Sequence, residues 1–249
     1  GAGLKGTDRD RYAAIKERLS VLGTDFGQNL LADERDWFLP LAEADLEGLP
    51  EFVIDAARSA GEARGADGPV LTLSRSLITP FLQFSPRRDL RETAHHAWVA
   101  RGANEGETDN RALTQEMLEL RAEMAALLGF DDFASFKLDQ EMAKTPDRVR
   151  DLLMAVWAPA KAAADADAIS LQEMLHADGI NEALAPWDWH YYADKRRKAL
   201  HNLDEEELKP YFQLDQMIEA AFDVATRLFG LSFKSITLDW FLDDARAWE

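Results

Sequence analysis

The 249 residues are 47% apolar and 30% charged, enough apolar material for the core of one large domain or two modest ones and too much for a disordered chain. Lys and Arg number 28 against 46 Asp and Glu, a formal charge of −18, which argues against a nucleic-acid partner because phosphates need clustered cations. The absence of cysteine excludes disulfides, thiolate metal sites and a Cys nucleophile and fits a reducing, cytoplasmic setting; no apolar run approaches the roughly 18 residues that span a bilayer.

The opening GAGLKGTDRDRY lacks the basic and apolar regions of a signal peptide and does not start with Met, so a processed or cut chain is expected. Thr7 and Asp10 resemble a capping box, and Tyr12, Ile15, Leu19, Leu22, Phe26 and Leu30 follow at helical spacing. Phe52 to Ala60 reads as a second, short helix. After a Gly-rich turn, Val70 to Leu73 is the strongest strand candidate, the edge of a small hairpin or sheet. Ser85 and Pro86 read as the cap and first residue of a helix running to about Arg101. Leu113, Met117, Leu120, Met124 and Leu127 form the next stripe, closed by Gly129.

A short helix through Phe133, Phe136 and Met142 comes next. Thr145 and Pro146 then open a longer one through Val149, Leu152, Leu153 and Val156, which Pro159 should kink or end. Helical spacing resumes in DADAISLQEMLH. Asp188 can cap the following helix, and Asp204 with Glu207 forms another capping pattern. Met217, Ile218, Ala221, Phe222, Ala225 and Leu228 run to Gly230. The expected fold class is mostly α: one multi-helix body with at most a minor β-hairpin or small sheet, without internal repeats or a linker.

Chemistry is sparse. The five histidines, His95, His96, His176, His190 and His201, include no H-E-x-x-H, and there is no phosphate loop or G-x-S-x-G elbow. Glu92 with His95 and Glu173 with His176 have the Glu-x-x-His spacing of carboxylate-bridged dimetal bundles, in which both ligands share a helix face. An acidic helical chain also yields such pairs by accident. The densest stretch, APWDWHYYADK (185–195), has the composition of a site. Its spacing instead lays Trp189, Tyr192 and Ala193, with Ala199 and Leu200, along one core-facing stripe. Lys195 to Lys198 then read as an exposed charge run. From the residues alone no catalytic, cofactor or metal ligand is assigned.

The order of segments carries more. Trp187, Asp188, Tyr191 and Tyr192, followed by Pro210, Tyr211 and Phe212, resemble a Trp-Asp-x-x-Tyr-Tyr motif and a downstream Pro-Tyr-Phe segment of the thimet-oligopeptidase-like zinc metallopeptidases, in particular the bacterial peptidyl-dipeptidases. Phe26 with Asn29, the stretch LELRAEMAALLGFDDFASFKLDQEMAKTPDRV, TRLFGLSF and the region of Trp240 continue the likeness in order, over essentially the whole chain.

The resemblance implies a two-lobed, mostly helical enzyme with a deep channel for short peptides and a zinc ion on H-E-x-x-H plus a downstream Glu. The motif's Glu acts there as general base for the metal-bound water. Those residues lie beyond the matching part. The chain is therefore expected to be an N-terminal and middle fragment, residues 1–249, whose missing C-terminal lobe holds the zinc. Such a fragment would line a channel, bind no metal and be inactive alone, while its parent releases C-terminal dipeptides. A non-catalytic helical peptide-binding module and a dimetal bundle stand as alternatives. A fragment should also leave apolar helix faces exposed.

Overall fold

The computed structural model describes residues 3–201, 208–237 and 245–249. It is mostly helical, with two small antiparallel pairs of strands, as the spacing predicts. Residues 1–196 and 197–249 form two compact units.

In the first unit α1 (Gly6–Asp36) and α5 (Arg111–Leu127) lie together. Of the two stripes read from the sequence, Ile15 and Leu22 are buried on α1 and Met124 on α5, where Ala125, outside the stripe, is buried beside it. Arg11 reaches Glu123 and Arg18 reaches Glu116 across the pair, each at 2.6 Å. These exposed ion pairs orient the helices more than they stabilise them. α1 begins one residue before Thr7, with Lys5 at the cap position, so Thr7 and Asp10 do not form the expected box.

The main core gathers around a two-stranded sheet. β1 (Phe38–Pro40) pairs with β2 (Val70–Thr72), Leu39 opposite Leu71. Upon it pack α2 (Glu51–Arg64) and α3 (Arg75–Phe84), with α4 (Arg88–Val99) against α3, burying Val53, Leu71, Leu77, Ile78, Phe81 and Ala94. Gly61 marks the closest approach, since a Cβ there would stand 2.0 Å from the Gly68 carbonyl oxygen.

Ser85 is not an N-cap. It closes α3, fully buried, its Oγ accepting the Arg87 N–H at 3.3 Å and its carbonyl accepting from Arg91 Nη1 at 2.7 Å. α4 consequently starts at Arg88 and stops at Val99. α6 (Phe133–Leu138) ends before Met142, which is 96% exposed.

Pro159 does not end its helix. α7 runs unbroken from Pro146 to Ala177, capped by Thr145, whose Oγ1 accepts the Arg148 N–H at 3.4 Å. Residues 151–166 are all exposed, so the carbonyl that loses its partner to proline is left to water. The second half of α7 is packed: Leu171 and Leu175 form a smaller core with Tyr192 of α8 (Trp189–His201).

In the second unit α9 (Leu214–Phe229) carries Phe222, which stacks on Phe233 at 4.2 Å and meets Trp248 at 5.3 Å. Trp248 belongs to a hairpin of β3 (Ser235–Ile236) and β4 (Ala247–Trp248). The stripe read from Met217 to Leu228 is helical but exposed at Met217 and Leu228. Asp204, Glu207 and Trp240 lie outside the described residues.

Candidate functional site

The aromatic stretch that looked like a site is a junction. A 3-10 turn, Pro186–Asp188, leads into α8 and turns the Asp188 carboxylate inward. Asp188 does not serve as the expected helix cap. It accepts from Arg91 Nη2 at 2.8 Å, from Arg88 Nη2 at 3.0 Å and from the Ala185 N–H at 3.1 Å. Arg91 is 1% exposed and spends its remaining donors on the Ser85 and Trp187 carbonyls. Its guanidinium carbon lies 4.3 Å from the centre of the Tyr191 ring. Burial pushes the Asp188 carboxyl up, but the two arginines overcome it and hold the group below the ordinary carboxylate range. The signal was legible in RDLRE: Arg88 and Arg91 are three apart and so share a face of α4.

Trp189, Tyr192 and Ala193 do pack on the Leu171–Leu175 core, with Tyr192 fully buried. Ala199 and Leu200 are exposed and leave that stripe. The Tyr192 hydroxyl donates to Asp178 at 3.1 Å; burial first, then that carboxylate, raises the phenol. The basic run is not merely solvated, because Lys195 pairs with Asp178 at 2.6 Å and Arg196 with Asp167 at 2.5 Å.

These ties frame an open groove of about 980 Å³ between the second half of α7 and the start of α8. Ile169, Leu184, Pro186 and Trp189 give it apolar walls, and Gln172, Glu173, His176 and His190 are its polar groups. Gln172 builds the mouth. Its Oε1 accepts the Leu184 N–H at 2.7 Å, and its amide nitrogen donates to the Glu182 carbonyl at 2.9 Å and to His176 Nε2 at 2.8 Å. Nothing in the sequence marked this groove, since it depends on a loop folding back ten or more residues onto α7.

The two Glu-x-x-His pairs fare differently. Glu92 turns to His96 at 3.8 Å, not to His95. His95 stands 6.1 Å, ring to ring, from Trp187, and burial, with repulsion from His96 and His190, lowers its proton affinity. Glu173 and His176 reach the groove. Among the described residues no three His, Asp or Glu side chains assemble into a metal-binding group, so these residues do not fit a zinc site. No helix among them is long and apolar enough to cross a membrane.

The groove thus presents apolar walls with one carboxylate, one amide and two imidazoles among its lining groups. Comparison with known proteins supplies the context. Residues 81–248 match peptidase family M3. The chain belongs to peptidase family M3. Its relatives include oligopeptidase A of Salmonella typhimurium, 34% identical over 242 residues that cover 95% of this chain and 36% of that protein. Dipeptidyl carboxypeptidase of Escherichia coli is 31% identical over 253 residues, 100% of this chain and 37% of that protein. Saccharolysin of Saccharomyces cerevisiae is 25% identical over 241 residues, 94% and 33% of the two chains. The chain thus spans about a third of the length of the curated relatives it matches. The family read from the ordered segments is the family found.

Proposed function

We propose that the chain is the helical, peptide-guiding portion of a zinc metallopeptidase, and that the groove between α7 and α8 seats part of a short, extended peptide. The groove carries this proposal: its walls are apolar, its mouth is fixed by Gln172, and it is built from this chain alone. In the whole enzyme the peptide lies in a channel formed partly by these helices, and C-terminal dipeptides are released. One relative is named for dipeptidyl carboxypeptidase activity, which supports that outcome. A zinc ion held outside the described residues would supply the hydrolytic chemistry. The residues described here bind and orient the peptide, and none is assigned a catalytic or metal-ligating role. A cytoplasmic setting accords with the lack of cysteine.

The exposed half of α7 supports the further lobe. Leu152, Leu153, Met154, Val156 and Trp157 are each at least 56% exposed, a contiguous apolar patch of the kind that other polypeptide covers. The purified 249-residue chain is expected to bind no stoichiometric zinc and to leave fluorogenic peptides uncut. Metal-dependent turnover by this chain would overturn the assignment. Because the groove needs no other polypeptide, a non-catalytic peptide-binding module is the second reading. H-E-x-x-H in the reading frame after Glu249 decides for the peptidase, and its absence decides for the module.

A further inference from the structure

Seven carboxylates lie between Asp165 and Asp194, and six of them have a partner. Asp165 pairs with Lys161, Asp167 with Arg196, Asp178 with Lys195, Glu182 with Arg88, and Asp188 with Arg88 and Arg91, while Asp194 accepts from Gln83 Nε2. Glu173 alone has neither a hydrogen-bond nor an ion-pair partner among the described residues, and it is the member of the set that lines the groove. No Lys or Arg lines the groove to answer it. The neighbouring amide, Gln172, is already committed to Leu184, Glu182 and His176. The groove therefore offers apolar contact on its walls and one unanswered negative charge on its polar side.

We infer that this groove selects peptides by charge, preferring a segment in which an apolar residue is followed or preceded by Lys or Arg, with Glu173 receiving the cation. The inference rests on the groove's being a peptide site and names the class of peptide it takes. Apolar burial against Ile169, Leu184 and Trp189 supplies most of the attraction and is indifferent to charge. Glu173 supplies the discrimination. It is exposed, so its ion pair with a peptide has the modest strength of a solvated pair, about two- to fivefold in affinity. The overall charge of −18 adds attraction for cations at low ionic strength but favours no particular site.

The test uses the full 249-residue chain and three blocked pentapeptides, acetylated and amidated, identical except for Lys, Gln or Glu beside a central Leu. Calorimetric affinities are expected in the order Lys, Gln, Glu, with about a two- to fivefold step from Lys to Gln at 50 mM salt that shrinks at 500 mM. Glu173→Gln should bring the Lys to Gln ratio close to one at 500 mM salt, where the overall charge is screened, and Glu173→Lys should reverse the order of the charged peptides. Equal binding of all three peptides, or an order that survives both substitutions, overturns charge selection and leaves peptide binding standing. Failure of every peptide to bind a chain whose circular dichroism is helical overturns the peptide site itself.

Discussion

Two stretches of the first unit carry runs of large apolar residues and use them in opposite ways. Leu71, Leu73, Leu77, Ile78, Phe81 and Leu82 are at most 4% exposed, whereas Leu152, Leu153, Met154, Val156 and Trp157 are at least 56% exposed. Propensity does not separate them, since α3 and the first half of α7 are both regular helices containing a proline. What separates them is company. α3 is met by β2, α2 and α4, and residues 151–166 of α7 are met by solvent. An apolar stripe therefore identifies a helix and its sticky face, but whether that face is core or interface depends on what the chain brings to it.

Substitutions can break this contrast. The largest effect is expected at the lock that holds the groove. Asp188→Ala strands the buried Arg91 guanidinium and should cost about 3–5 kcal/mol in urea-induced unfolding, whereas the loss of an exposed ion pair costs about 0–1 kcal/mol. A cost under 1 kcal/mol would mean that Arg91 finds water and that the junction is looser than drawn. Next, Phe81→Ala removes a fully buried ring and should cost about 3–5 kcal/mol, against a change of no more than about 0.5 kcal/mol for Trp157→Ala. If both cost the same, the two stretches are equally packed and the contrast is void.

Acidity should give the smallest effect and should act on the packed region. Burial, then His96 and His190, keep folded His95 from taking a proton that the unfolded chain accepts near its ordinary value of 6.5. The unfolded state thus binds more protons as the pH falls through 6.5, and stability declines with it. Asp188 acts in a lower window. Its depressed pKa contributes stability at neutral pH that is lost only as the pH falls below the ordinary carboxylate value of 3.8. Urea midpoints taken from pH 7.5 to 5.0 should fall, and His95→Gln should flatten the slope. An unchanged slope would place the titration elsewhere.

Much of the helical content was legible because α1 and α5 obey a 3-4 spacing whose buried members are Ile15, Leu22 and Met124. α3 was not, because Pro80 and the short run RSLITPFLQF conceal a ten-residue helix whose neighbours decide its burial. β1 was illegible for a similar reason: three residues ending in proline read as a loop until Val70 to Thr72 pair with them. Tyr192 was placed correctly by its spacing. The groove was not foreseen, since Leu184 and Gln172 are twelve residues apart and meet only through the turn after α7. Glu173 and His176 attracted attention as metal ligands, yet the structure places them as lining groups of that groove.

The most direct test maps a blocked Leu-Lys peptide onto the 249-residue chain by two-dimensional NMR while mass spectrometry follows the peptide. Amide shifts confined to Ile169, Glu173, Leu184, Trp189 and their neighbours, with the peptide intact after prolonged incubation in zinc, are expected. Shifts elsewhere in the chain, or a shortened peptide, would contradict a peptide-guiding portion that does not itself cut.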